Sequence, residues 1–167
     1  MRDWLLITPL MLPLLAGAVS LALSRFRLLQ RVLGVVVLGL VLGDAVALLL
    51  LADRYGPQVL AVGGWPAPVG ITLVADRLSA LLLTVAVAVA LAVLLFAIGQ
   101  GVADEGAASS LAFHPAYLLL TAGVGLAFLS GDLFNLFVAF ELLLASSYVL
   151  ITLGAGAGRL QAGMTYT

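Results

Sequence analysis

Two carboxylic acids interrupt stretches that otherwise hold no charge: Glu141 within 133–153 and Asp44 within 33–52. An ionisable side chain in a bilayer costs about 2.5–3.5 kcal/mol on insertion scales, so each such residue needs a partner or a purpose. Glu141 stands eight residues into its run, roughly 12 Å from one end at the helical rise. In a hydrocarbon core of about 30 Å this is close to the midplane. A carboxyl there has the chemistry to hold and release a proton or a cation. Helical spacing puts Phe134, Phe137, Val138, Ala145 and Tyr148 on its face. Asn135, Ser146 and Ser147 lie off that face, placed to bond other helices, and the small residues 145–147 allow a close helix approach. Asp44 sits between Gly43 and Ala45 without a polar cluster on its own helix. It is the weaker of the two intramembrane acids, because a helix starting nearer Leu28 moves it toward the interface.

Other polar residues read as structural. Asp132, at the short turn before the last apolar run, is placed to cap a helix. His114, whose imidazole suits a proton relay, is read instead as a helix-start residue, with Pro115 in the first turn. Asp76-Arg77 reads as a cap plus a surface ion pair. The single histidine and the absence of cysteine leave no metal site, disulfide or Fe–S cluster to build, and no cofactor is expected.

The elements that position these residues follow from composition. Of 167 residues 64% are hydrophobic and 9% charged, whereas a soluble domain carries about 25% charged residues. Fifteen charged side chains cannot cover a soluble core, and a net charge of −1 provides no basic field for nucleic acid. The fold class is an all-α integral membrane protein with five transmembrane helices, near 4–23, 33–52, 78–98, 114–131 and 133–153, and the start of a sixth. The first run is longer than the 7–15 apolar residues of a signal peptide, and Pro9 and Pro13 are expected to kink it. Between the second and third runs, residues 59–62 and 71–74 bracket a Gly/Pro-rich tip at 63–68. They suggest a β-hairpin outside the membrane, with an irregular loop as the alternative. Trp65 suits the headgroup region.

Arg25, Arg27 and Arg31 cluster after the first helix, which puts the N-terminus outside and the loop 24–32 in the cytoplasm. The hairpin is then outside, and the Asp104-Glu105 loop and the C-terminal end are cytoplasmic. After Gly154, Gly156 and Gly158, residues 159–167 read as a helix beginning, so the sequence reads as truncated.

Residues 63–83 (GGWPAPVGITLVADRLSALLL) and 130–154 (SGDLFNLFVAFELLLASSYVLITLG) closely resemble the D subunit of the Mrp-type multisubunit sodium/proton antiporters. More broadly they resemble the antiporter-like subunits shared with respiratory complex I and membrane-bound hydrogenases. Residues 113–132 (FHPAYLLLTAGVGLAFLSGD) and the closing RLQAGMTYT fit the same family, so the likeness runs over essentially the whole chain. The resemblance implies a bundle of fourteen helices with two inverted five-helix repeats. Residues 1–112 would hold the three leading helices, and 113–167 would begin the first repeat.

By the same resemblance, Glu141 matches the family's essential glutamate of the fifth helix, and its lysine partner on a broken seventh helix lies beyond this sequence, which contains no lysine. The implied function is a membrane subunit of a multisubunit Na⁺/proton antiporter in the plasma membrane. It would be a transporter component rather than an enzyme, with other Mrp subunits, protons, Na⁺ and lipid as its partners. The alternative is a proton-pumping subunit of a complex I-like NADH:quinone oxidoreductase or a hydrogenase.

Overall fold

A chain segment in hydrocarbon must satisfy its own backbone, which leaves the helix as the form available to each long apolar run. A computed structural model describes residues 3–65, 70–101 and 107–153, apart from the side chains of 107–111. It contains helices α1 (Asp3–Ala22), α2 (Arg27–Tyr55), α3 (Arg77–Gln100), α4 (Ala107–Leu129) and α5 (Leu133–Thr152). All five are long and apolar enough to span a membrane. Between α2 and α3 lie strands β1 (Gln58–Ala61) and β2 (Thr72–Ala75). They pair antiparallel from Gln58 opposite Ala75 to Ala61 opposite Thr72. The hairpin expected from the two β-prone runs is therefore present, and the all-α description holds for the membrane part alone. The tip residues Pro66, Ala67 and Pro68, the Asp104-Glu105 loop, the glycines 154, 156 and 158, and the expected sixth helix at 159–167 lie outside the described residues.

Two helices start earlier than the sequence suggests. α2 begins at Arg27 and runs 29 residues, because the polar residues Gln30 and Arg31 interrupt hydropathy without breaking a helix. α4 begins at Ala107, which moves Pro115 from the expected first turn into the helix interior. Nothing in 107–113 stops a helix, and a membrane helix tolerates an internal proline where neighbouring helices cover the freed backbone.

α4 packs on α1, α3 and α5, while α2 packs mainly on α3 and α1. The α1–α4 contact rests on glycine. α1 passes through Pro9 and Pro13 without interruption, and both prolines are buried. Pro13 has no N–H to give the Pro9 carbonyl. That carbonyl lies against Gly125 of α4, where a Cβ would fall 2.8 Å from the oxygen. α2 buries one stripe, comprising Val37, Leu38, Val41, Asp44, Ala45, Leu48 and Ala52.

The hairpin docks on the α4–α5 turn. Gly131 N–H donates to the Thr72 carbonyl at 2.7 Å, and Leu73 forms a bridge with Ser130. The hairpin, which joins the end of α2 to the start of α3, is thereby tied to the turn between α4 and α5.

Candidate functional site

Asp132 fixes where α5 begins. One carboxylate oxygen accepts from Asn135 N–H at 2.7 Å, and the other accepts from Thr72 N–H at 3.3 Å. The expected cap is present and also joins the helix to the hairpin. Nine residues after Asp132, or about 14 Å along the axis, comes Glu141.

α5 has two dissimilar faces. Asn135, Ala139 and Ser146 are buried. Leu143 sits so close to α4 that a Cβ on Gly123 would lie 3.1 Å from its side chain. The small residue Ser146 fits this close approach. Its hydroxyl donates to the Leu142 carbonyl of its own helix at 2.7 Å, so it does not make the interhelical bond expected of it. Glu141 is exposed on the other face. It shares that side with Phe134, 75% exposed, and Phe137, 59% exposed. Val138 and Tyr148 are exposed there too. α5 thus presents one carboxylate within an apolar, aromatic surface that no described helix covers.

Asp44 is the opposite case: 7% exposed, within the inward stripe of α2. α4 stands between α2 and α5, so the two acids are not brought together. The early start of α2 does not move Asp44 to the interface, because the helix also runs on to Tyr55.

His114 is not at a helix start, because α4 begins seven residues earlier. It is 1% exposed, edge-on to Phe113 with ring centroids 5.4 Å apart. It is level with Gly34 of α2, where a Cβ would lie 3.9 Å from Nδ1. Asp76 caps α3 through a capping box: Ser79 N–H donates to its carboxylate at 2.7 Å, and the Asp76 N–H donates to Ser79 Oγ at 2.9 Å. These bonds hold its carboxyl below the ordinary range. The surface ion pair of Arg77 is made to Asp53 of α2, at 3.1 Å.

One buried polar contact escaped the sequence reading. Gln30 Nε2 donates to the Ser20 carbonyl at 2.8 Å and to its hydroxyl at 3.2 Å. The available signal was spacing, since Gln30 precedes Gly34, Val37 and Val41 on one helical stripe.

No family model matches the chain. Among curated proteins it is 40% identical over 165 residues to the D subunit of a Na(+)/H(+) antiporter of Alkalihalophilus pseudofirmus, covering 97% of this chain and 32% of that protein. It is 41% identical over 175 residues to the D subunit of a probable K(+)/H(+) antiporter of Rhizobium meliloti, covering 99% and 32%. Among solved structures it matches a chain of the Mrp complex from Dietzia sp. with a TM-score of 0.89 at 32% identity, over 99% of this chain and 31% of that one. It matches a chain of the archaeal membrane-bound sulfane sulfur reductase with a TM-score of 0.88 at 26% identity, over 98% and 33%. The chain spans about a third of the length of the curated relatives it matches.

Proposed function

We propose, from the premise that this chain is homologous to the N-terminal third of the antiporter D subunit, that it serves in a multisubunit cation/proton antiporter as a transporter component rather than an enzyme. Glu141 takes part in moving protons, and the remainder of the subunit and its partner subunits complete the pathway. The observation that supports this reading is the face of α5: a carboxylate midway along a helix long and apolar enough to span a membrane, exposed among phenylalanines and leucines, on the side turned away from α4. An isolated carboxylate on lipid is unfavourable, whereas one facing further helices of the same assembly can be paired and hydrated. Residues 113–167 then begin the first antiporter-like repeat and 1–112 supply the leading helices. The arginine cluster favours an orientation with the hairpin outside and Arg25, Arg27 and Arg31 in the cytoplasm. Sodium and potassium both occur in the names of the relatives, and Na⁺ is the cation taken here.

The likeness to the archaeal respiratory complex supports a second reading, a proton-pumping component powered by redox chemistry in another chain. The higher identity to the antiporter subunits favours the first.

The test is Glu141→Gln in the complete assembled complex. The amide keeps the volume and hydrogen bonding but cannot exchange a proton near neutral pH. Sodium-dependent dissipation of a pH gradient in everted vesicles should fall at least tenfold, with subunit levels unchanged on immunoblot. Normal exchange by this variant would overturn the role of Glu141.

A further inference from the structure

We infer that Asp44 is a proton-binding site inside the leading bundle, separate from Glu141. It lies nine residues before Asp53, whose pair with Arg77 marks the hairpin end of α2, and so about 14 Å below that end. Its side chain is buried, the residue being 7% exposed, and neither carboxyl oxygen has a hydrogen-bond partner among the described residues. Such a carboxyl can be held in three ways: by a cation, by donors to a carboxylate, or by a proton on the acid itself.

Among the described residues, the elements packed against α2 bring no cation to it. α1 carries one charged residue, Asp3, at its first position, and buries Ser20 near its other end. α3 carries one, Arg77, also at its first position and engaged with Asp53. α4 brings two titratable groups, His114 and Tyr117. His114 is level with Gly34, ten residues or about 15 Å along α2 from Asp44. The Tyr117 hydroxyl donates to the Ala90 carbonyl at 2.7 Å. β1 and β2 contain no charged residue. On α2 itself Arg27, Arg31, Asp53, Arg54 and Tyr55 all lie toward the ends.

A metal cation would need several oxygen ligands, and Asp44 is the one carboxylate among the buried described residues. A bare carboxylate without partners in a low-dielectric interior takes up a proton instead of remaining charged. The ligand is therefore H⁺. Its release requires water or a counter-charge to enter between α2 and its neighbours, so occupancy of the site is tied to how closely that part of the bundle is shut. This assignment does not depend on the role given to Glu141.

Infrared spectroscopy of the complete complex at about pH 6 tests it. An exposed aspartate, with a pKa of about 3.9, is about 99% ionised at that pH. A protonated-carboxyl C=O band should be present, should shift when aspartate is labelled with ¹³C, and should be lost in Asp44→Asn. The Asp44→Glu variant should keep a band at altered frequency. The labelling arm uses the unmodified protein, so it reads the site even if a variant assembles poorly. No labelled-aspartate band in the parent, or one that survives Asp44→Asn, would overturn the assignment. A band lost in Asp44→Asn beside normal transport by Glu141→Gln would support it while removing the proposed function.

Discussion

Gly131→Ala tests the docking that aligns α5. An ideal Cβ at this position would lie 2.8 Å from Val74 Cγ2 and 2.9 Å from the Thr72 carbonyl oxygen. Val74 has a rotamer to give. The Thr72 carbonyl does not, because it already accepts the Gly131 N–H at 2.7 Å. The methyl must therefore push the turn off the hairpin by several tenths of an ångström. Overpacking of this kind costs about 1–3 kcal/mol, and the weakened hydrogen bond about 1 kcal/mol at most. Alanine recovers about 0.4–1 kcal/mol by restricting the unfolded chain. A net loss of about 1–2 kcal/mol results, up to a thirtyfold change in the unfolding constant. The assay is unfolding of this 167-residue chain in mixed detergent micelles, followed by the fluorescence of Trp65, which is 65% exposed beside the hairpin, in a Trp4→Phe background. Gly39→Ala is the control. It lies in α2 with nothing within 4 Å of where its new methyl would stand, and it should be neutral or stabilising by up to about 1 kcal/mol. Equal stability of Gly131→Ala and the parent would show that the turn does not rest on β2 as described.

Two further outcomes are expected. Asp76→Ala should destabilise the protein at about pH 6 by roughly 1 kcal/mol, the worth of an N-cap. Because folding lowers the Asp76 pKa, its contribution is complete above the unfolded value of about 3.9 and is lost as pH falls through the folded value. The gap between variant and parent should therefore close in acid, and a pH-independent gap would point to helix propensity instead. Reporter fusions after Arg31 should report cytoplasm and fusions at Gly64 the outside. The reverse pattern would mean that three arginines do not set the orientation.

Length and hydropathy made the five spans legible, because a long apolar run has few alternatives in lipid. Strand propensity and the Gly/Pro tip gave the hairpin to within a residue or two. Helix starts were less legible: Gln30, Arg31 and the segment before Pro115 lower hydropathy while leaving the backbone free to continue helical. The capping roles of Asp76 and Asp132 were local enough to read, since donor and acceptor lie three residues apart. What spacing could not show was the partner across the fold: Thr72 for Asp132, Asp53 for Arg77, Ser20 for Gln30. Periodicity grouped the residues sharing the face of Glu141, but which side of α5 meets α4 depends on Gly123 and Leu143, and that is a tertiary fact.

The contact of Pro9 with Gly125 sets a timetable for synthesis. The two residues are 116 positions apart. A ribosome adding about 5–20 residues per second takes roughly 6–23 s to travel from one to the other. During that interval α1 is already made, while the surface its bare carbonyl rests on does not yet exist. The first helix can pack on α2 during that interval, and its packing is complete once the fourth is made. Chains released before Gly125 is translated would leave that carbonyl without its seat.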